Sequence, residues 1–203
     1  MGDRTGGEFV EVEKGPLGPL LLARSGVDRA AARRNDAEWL AKAWADPTTR
    51  VLVVEQGRTL VRQRGDTAEL AFFSPAEAPE GERYLLGQDR DGTVYFAVAG
   101  PLPAPSGETR LSRPVDDLAE VADRADVAAI GLRQAGGLLG DRDAGLLVNA
   151  VALEAWHSTH QHCPRCGSRT RVVSGGHVRL CPEDGSQHFP RVDPAVIMLV
   201  HDD

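Results

Sequence analysis

Short apolar runs alternate with turn-forming residues along the amino-terminal two thirds of the chain, a pattern typical of a mixed α/β domain. Residues 20–23 predict a short buried strand. A helix is predicted after Asn35 or Asp36, since either side chain can act as its N-cap, and the pair at 46–47 (Asp-Pro) ends it. Its apolar side chains share one face: Trp39, Leu40, Ala43 and Trp44.

Four further runs have strand character and suggest two hairpins. Residues 50–55 and 58–63 flank a Gln-Gly turn, and residues 84–88 can pair with residues 93–98 across an Asp-Gly turn. Residues 101–112 contain three prolines and a glycine, which predict a loop within the domain. Residues 143–160 then show helical spacing of apolar positions, at Leu146, Leu147, Ala150, Val151 and Leu153.

Two near copies of one peptide follow this helix. Residues 163–167 have the sequence CPRCG and residues 181–185 have the sequence CPEDG, with fourteen residues between Cys166 and Cys181. Each has the form of a zinc knuckle, a tight turn whose glycine lets backbone N–H groups point at a metal-bound thiolate. Two such knuckles predict a zinc ribbon, in which Asp184 stands where the repeat demands a fourth cysteine.

Structural zinc takes four tetrahedral ligands, and the ribbon supplies three thiolates from Cys163, Cys166 and Cys181. The internal repeat favours Asp184 as the fourth ligand, and a carboxylate oxygen is acceptable to zinc. Nearby imidazoles compete for that position: His188, which is our second choice, His177 and His162. The alternative is a ribbon that has lost its metal and is held by hairpin packing, with three inert thiols.

Flanking segments connect the ribbon to a known family. Residues 188–200 (HFPRVDPAVIMLV) resemble the segment by which NADH pyrophosphatases, the NAD diphosphatases of the Nudix hydrolase superfamily, pass from their zinc ribbon into the catalytic domain. Residues 141–147 and 152–157 are similar to the helix that precedes the ribbon in that family, and residues 31–40 are similar to its amino-terminal domain. The resemblance spans most of the chain and is strongest from Gly131 onward.

This resemblance implies three parts. The first is an α/β (α+β) amino-terminal Nudix-like domain at 1–157, and the second is a small zinc ribbon at 158–190. The third, at 191–203, is the first strand of a truncated Nudix domain, and its apolar residues 195–200 are expected to belong to a core. Nudix hydrolases hold catalytic magnesium with a box of roughly G-x5-E-x7-R-E-x2-E-E-x-G, whereas this sequence contains no Glu-Glu and no Arg-Glu pair. We therefore expect a carboxyl-truncated fragment with no catalytic residues and no activity of its own.

The activity implied for the family is NAD(H) diphosphatase: hydrolysis of the pyrophosphate of NADH or NAD, or of NAD-capped RNA, to NMN and AMP. It implies structural Zn²⁺, catalytic Mg²⁺ or Mn²⁺ bound by the missing box, and a homodimer. Substrate contacts carry over to Arg133 and Phe189, because arginine pairs with a pyrophosphate and an aromatic face stacks on a base. The alternatives are a surface arginine and a packing aromatic. A ribbon glutamate that contacts substrate in some relatives has no counterpart, since Gly176 occupies its place.

Composition narrows the remaining possibilities. The net charge of −7 and pI near 5.4 argue against general nucleic-acid binding, which disfavours a zinc-ribbon module that contacts nucleic acid. A noncatalytic zinc-ribbon protein that binds a nucleotide or a partner stays as the alternative function. Three cysteines in metal-type spacing, without an apolar leader or membrane span, favour a cytoplasmic protein. The imidazoles of His157, His160 and His162 are expected to be solvated rather than a second metal site.

Overall fold

The computed structural model describes residues 23–102 and 127–191. The strand predicted at 195–200, nearly all of the strand predicted at 20–23 and most of the loop predicted at 101–112 lie outside the described residues. What is described is a mixed α/β unit followed by a zinc-ribbon region, which confirms the predicted fold class.

Three α-helices and nine strands form the described part. The helices are α1 (Ala37–Ala45), α2 (Leu132–Ala135) and α3 (Asp141–Thr159), with 3-10 turns at Ala31–Arg33 and Ser174–Gly176. The strands are β1 (Arg50–Val54), β2 (Arg58–Arg64), β3 (Thr67–Leu70), β4 (Glu82–Gln88), β5 (Val94–Ala99), β6 (Ala128–Gly131), β7 (Arg171–Val173), β8 (Val178–Leu180) and β9 (Gln187–His188). Asp36 is the N-cap of α1, since its Oδ1 accepts the Trp39 N–H at 2.9 Å.

The second predicted hairpin is confirmed. Strands β4 and β5 pair antiparallel from the Glu82–Ala99 pair to the Gln88–Val94 pair, with a register shift between Leu85 and Gly87. The apolar face of α1 covers this hairpin, where Trp44 meets Phe96 edge-on at 5.4 Å between ring centroids.

The first predicted hairpin is wrong. A tight turn does join β1 to β2, and Glu55 and Arg58 exchange two backbone hydrogen bonds of 3.0 Å, but the strands then part. Strand β1 pairs in parallel with β5, and its other edge is occupied at Val51 by the backbone of Phe73. Strand β2 lies instead between β3 and β6. A strand as buried as β1 needs partners on both edges, and non-local segments provide them.

Helix α3 holds the two larger sheets together. Its apolar side chains enter a core with residues of both sheets: Leu52, Val54, Leu86, Ala97, Val61, Leu70, Ile130, Leu146, Leu147, Ala150 and Leu153. The buried carboxylate of Asp143 accepts the Leu70 N–H at 3.0 Å, which ties the first turn of α3 to the end of β3. The helix ends at Thr159, directly before the first knuckle.

The ribbon is a three-stranded antiparallel sheet in the order β7-β8-β9, with strands of two or three residues. Across residues 23–102 and 127–191, none of the helices has the length and apolar character needed to cross a bilayer.

Candidate metal centre and its junction with the amino-terminal unit

Two turns of identical design carry the predicted metal ligands. In the first knuckle the Cys163 N–H donates to Ser168 O at 2.8 Å, and the Gly167 N–H donates to Cys163 O at 2.9 Å. The second knuckle repeats both bonds, at 2.9 and 3.1 Å, with Cys181, Ser186 and Gly185. Both glycines have positive φ, 77° and 69°, which the tight turn requires and which an L side chain disfavours.

The two knuckles bring their side chains to one point. The ligand atoms of Cys163, Cys166, Cys181 and Asp184 all lie within 4.8 Å of one another. Two sulfur atoms, on Cys166 and Cys181, are 3.4 Å apart, and the Cys163 Sγ is 3.6 Å from the Asp184 Oδ2. Tetrahedral zinc with Zn–S bonds of about 2.3 Å places its sulfur ligands roughly 3.8 Å apart, so the cluster has the dimensions of such a site.

The charge of the cluster also fits a cation. Hydrogen bonds from the hydroxyl and the backbone N–H of Ser186 hold the pKa of the Asp184 carboxyl below its ordinary value. The Ser186 hydroxyl also contacts the Cys163 thiol and is the main cause that lowers the pKa of this thiol to about 6. The backbone N–H of Asp184 favours the Cys181 thiolate, but burial and the Asp184 carboxylate raise the pKa of that thiol to about 11. Four ligands this close cannot all ionise without a positive ion between them, so the donor set suits structural zinc.

None of the three competing imidazoles belongs to the cluster. His188 remains adjacent, with its Nε2 3.2 Å from the Ser186 Oγ, although it is not one of the four clustered ligands. His177 faces the amino-terminal unit, where its Nε2 lies 2.8 Å from Leu85 O, and His162 is exposed next to the first knuckle. The geometry therefore groups Asp184, rather than an imidazole, with the three thiols.

A buried polar network joins the ribbon to the amino-terminal unit. The Arg179 side chain, only 2% exposed, donates from Nε to the Thr170 hydroxyl at 2.7 Å and from Nη1 to His157 Nδ1 at 2.9 Å. The same Nη1 lies 3.6 Å from the Glu82 carboxylate on β4. Because a guanidinium can only donate, His157 Nδ1 must be an acceptor, and its Nε2–H donates to Gly176 O at 2.7 Å.

The prediction of solvated imidazoles at the end of α3 is wrong for His157. Its ring is 2% exposed and stacks on Tyr84 of β4, with centroids 4.5 Å apart and planes 7° apart. Burial lowers its pKa, so the ring is neutral at pH 7. The ribbon covers this end of the helix, which the sequence does not reveal. His160 and His162 are exposed, and within the described ranges the three imidazoles form no metal-binding group.

The backbone of the ribbon approaches β4 closely at Gly176. A Cβ at this position would lie 2.6 Å from Tyr84 Cδ1 and 2.8 Å from Tyr84 Cα, and the residue has φ of 90°. Sequence reasoning noticed Gly176 only as the absence of a glutamate, whereas the structure shows why a larger residue does not fit. It missed Arg179 altogether, because strand alternation between Val178 and Leu180 would place that side chain in solvent.

Neither of the two predicted substrate residues belongs to the metal cluster. Arg133 is exposed on α2, and Phe189 is exposed directly after β9. Phe189 is 57% exposed, the only large hydrophobic side chain so exposed among the described residues.

Comparisons with known proteins agree with this geometry. A family model described as the NADH pyrophosphatase-like rudimentary NUDIX domain matches residues 48–156, and one described as the NADH pyrophosphatase zinc ribbon domain matches residues 158–189. The chain belongs to the NADH pyrophosphatase family of Nudix hydrolases. The cluster of three cysteines and Asp184 lies within the residues that the zinc ribbon model matches.

Several curated relatives of this family are similar to the chain. The NAD-capped RNA hydrolase NudC of Mycobacterium tuberculosis (strain ATCC 25618 / H37Rv) is 34% identical over 182 residues, which are 90% of this chain and 53% of the relative. NudC of Deinococcus radiodurans is 34% identical over 141 residues, 64% of this chain and 50% of the relative. Human NUDT12 is 40% identical over 74 residues, 32% of this chain and 16% of the relative. The chain thus spans about half the length of the bacterial relatives it matches.

Proposed function

We propose that this chain belongs to an NAD(H) diphosphatase. Such an enzyme hydrolyses the pyrophosphate of NADH or NAD, either free or as the cap of an RNA, to NMN and AMP. The observation that carries this proposal is the ribbon itself. Its three thiols and one carboxylate meet in the domain that the family match assigns to NADH pyrophosphatases. The relatives named as NAD-capped RNA hydrolases support the substrate class.

The proposed zinc ligands are Cys163, Cys166, Cys181 and Asp184, with His188 as the alternative to the carboxylate. Bound zinc would join the two knuckles and so give a small ribbon its stability. Purified chain should contain about one zinc ion, measured by elemental analysis. We expect Asp184→Cys to bind zinc more tightly and Asp184→Asn to bind it more weakly in a chelator competition. A loss caused by His188→Gln but not by Asp184→Asn would instead assign the imidazole.

We propose Arg133 and Phe189 as substrate contacts. The exposure of Phe189 supports a role for its ring as a stacking surface for a base, and the exposed guanidinium of Arg133 suits a pyrophosphate. The hydrolytic step itself needs Mg²⁺ or Mn²⁺ held by the carboxylates of a Nudix box, and the 203-residue sequence contains no such box. For this chain alone we therefore predict nucleotide binding without turnover. A homodimer, a cytoplasmic location and domain boundaries after residues 157 and 190 belong to the same proposal.

A binding experiment tests the substrate contacts. NADH fluorescence titrations should show weaker binding to Phe189→Ala and Arg133→Gln, by about tenfold for each. Phe189→Trp should retain binding because it preserves an aromatic face. Arg171→Gln, which removes an exposed arginine from the ribbon strand β7, is the matched control for charge. Equal weakening by Arg171→Gln would mean that only overall charge matters and would remove Arg133 from the site.

An activity assay separates the proposed function from its alternative. The chain is incubated with NADH and Mg²⁺ or Mn²⁺ beside a version extended with a complete Nudix domain, and AMP and NMN are followed by chromatography. Release of both products only by the extended version supports the proposal. Nucleotide binding without activity in either version would favour a noncatalytic zinc-ribbon protein, for which the exposed Phe189 offers the contact surface.

A further inference from the structure

Two arginines outside the ribbon are brought together by a tight turn. The backbone of Asp28 pairs with Gln88 at the end of β4, and its Oδ1 accepts the Ala30 N–H at 2.9 Å. Ala30 takes a left-handed conformation with φ of 48°, which starts the 3-10 turn Ala31–Arg33. The turn returns the chain so that the Arg34 Nη2 donates to Arg29 O at 3.2 Å.

These two guanidiniums have no carboxylate between them. Among the residues that the structure describes, neither Arg29 nor Arg34 has a carboxylate oxygen within 4 Å, the distance that defines an ion pair. The nearest acidic neighbours in sequence are engaged elsewhere, because Asp28 binds the turn and Asp36 caps α1 and pairs with Arg33. Burial lowers the pKa of Arg34, and the positive charge of Arg29 lowers it further.

The cluster also contains N–H donors without acceptors. Asn149 of α3 is 7% exposed, and its Oδ1 accepts from the Arg29 Nη2 at 2.5 Å. Because arginine can only donate, this bond fixes the orientation of the amide and leaves its Nδ2 as a buried donor with no partner. The buried Nε of Arg34 likewise has no partner. Buried N–H groups are normally satisfied in native proteins, so two in one basic cluster indicate a missing acceptor.

The neighbouring imidazole of His177 adds no charge to this cluster at pH 7. His177 lies with its Nε2 against Leu85 O, and its pKa falls to about 4, first through burial and then through the charges of Arg34 and Arg29. The ring is therefore neutral at pH 7, and the local charge of the cluster stays positive although the whole chain carries −7. A small anion with several acceptor oxygens would satisfy both the charge and the orphan donors.

We propose that this Arg29–Arg34–Asn149 cluster binds a phosphate group, either as free phosphate or as the phosphate monoester of a nucleotide. A tetrahedral dianion matches two guanidiniums in charge, and its oxygens can accept from Arg29, Arg34 and the Asn149 amide together. Arg29 is exposed to solvent, whereas the orphan donors of Arg34 and Asn149 are buried. The cluster shares no residue with the metal cluster and includes neither Arg133 nor Phe189, so the proposal does not rest on the proposed hydrolase function.

Thermal unfolding of the zinc-loaded chain, with no free zinc present, tests this site. Inorganic phosphate should raise Tm above that in potassium chloride of equal ionic strength, in a saturable manner. Arg29→Gln and Arg34→Gln should weaken phosphate binding by at least about tenfold, measured by calorimetry. Arg33→Gln removes the same charge from the same turn. Because Arg33 already pairs with Asp36, this variant should weaken phosphate binding by less than about twofold. No phosphate effect, or an equal loss in Arg33→Gln, would overturn the proposal.

A second variant guards against simple loss of folding. Asn149→Asp keeps the shape of the side chain and places a carboxylate against Arg29, so it supplies an internal counterion. We expect its Tm in chloride to equal or exceed that of the wild type, while the added stabilisation by phosphate disappears. If phosphate stabilises this variant as strongly as the wild type, the anion binds elsewhere and the proposal fails.

The source of the phosphate group is resolved by comparing ligands. Phosphate and AMP should both stabilise the chain, adenosine and acetate should not, and Arg34→Gln should reduce the effect of both phosphates. Stronger binding of AMP than of free phosphate identifies a nucleotide as the ligand, and equal binding identifies the free ion. An effect of adenosine or acetate as large as that of phosphate would contradict a site built for a tetrahedral dianion.

Discussion

The amino-terminal unit and the ribbon differ most in what fills their interiors. The first has a core of aliphatic side chains from two sheets and α3, among which Leu52, Leu86 and Leu147 are fully buried. The buried residues between 158 and 191 are instead Cys163, Thr170, Gly176, Val178, Arg179 and Cys181. The ribbon therefore has almost no apolar core, and we expect its stability to come from the proposed metal ligation and from the surface it lies on.

The comparison also explains why the junction between the two regions is polar. An arginine as buried as Arg179 is costly unless it is fully hydrogen-bonded, and its partners come from both regions: Thr170 from the ribbon, and His157 and Glu82 from the amino-terminal unit. Because hydrogen bonds have a defined geometry, these contacts fix one orientation of the ribbon on the amino-terminal unit. A purely apolar contact would not fix the orientation in this way. The ribbon is thus positioned by its contacts with the amino-terminal unit.

The largest expected effect is the loss of the ribbon alone. Cys163→Ser removes one of four clustered ligands, so we expect zinc content to fall from about one ion per chain to near zero and the ribbon to unfold. Amide hydrogen exchange should become fast across residues 161–188 but stay slow across β1, whose protection depends on the aliphatic core.

Ser168→Ala is the matched control for this variant, because that residue contributes its backbone carbonyl to the first knuckle. It should retain zinc and protection. A Cys163→Ser chain that holds no metal but keeps slow exchange in the ribbon would show that hairpin packing suffices there.

The next effect tests the junction. Gly176→Ala places a methyl group less than 3 Å from Tyr84 in a residue of positive φ, so we expect a loss of about 4 kcal/mol in the free energy of unfolding. Gly65→Ala is the control, since Gly65 has φ of 59° but nothing within 4 Å of its added Cβ, and should cost about 1 kcal/mol. Chemical denaturation followed by circular dichroism measures both. Equal costs would mean that backbone strain, not the close approach to β4, requires Gly176.

A truncation in each interior sharpens the comparison further. Leu147→Ala removes a fully buried side chain from the aliphatic core and should cost about 3 kcal/mol, while zinc content stays unchanged. Val178→Ala in the ribbon should cost only about 1 kcal/mol, because little apolar surface surrounds it. Denaturant midpoints and elemental analysis test both variants. A loss of zinc in Leu147→Ala would mean that the two regions are stabilised as one unit.

Sequence predicted those features that depend on local pattern. The spacing of Trp39, Leu40, Ala43 and Trp44 gave α1, the Asp-Gly turn gave the β4–β5 hairpin, and the repeated CPxxG peptide anticipated the two matching knuckles. In each case neighbouring residues suffice, because helix capping, turn geometry and the glycine of a knuckle act over a few residues.

What the sequence did not reveal depends on contacts between distant segments. Strand β1 left its expected partner because Phe73 and β5 occupy its edges, and His157 is buried because the ribbon covers it. Arg29 and Arg34 form a candidate binding cluster only because Asn149, more than a hundred residues away in sequence, contacts Arg29. No local sequence pattern predicts such long-range contacts.

The junction should also give the stability of the chain a pH dependence. Burial lowers the pKa of His177 to about 4 in the folded chain, against about 6.5 when unfolded. The unfolded chain therefore binds a proton first as pH falls, so the contribution of His177 is complete above pH 6.5 and is lost between about pH 6.5 and 4. By pH 5 the loss should reach about 2 kcal/mol, and the lowered pKa of His157 acts in the same direction.

His177→Gln isolates this contribution, because its amide can still donate to Leu85 O but does not titrate. Protonation of the thiolates also weakens the ribbon at low pH, and comparing the wild type with the variant cancels that shared effect. Between pH 7.5 and pH 5, the free energy of unfolding of the wild type should fall by about 2 kcal/mol more than that of the variant, measured by denaturation at each pH. A constant difference would mean that this imidazole titrates alike in the folded and unfolded chains, and that the junction does not exclude its charge.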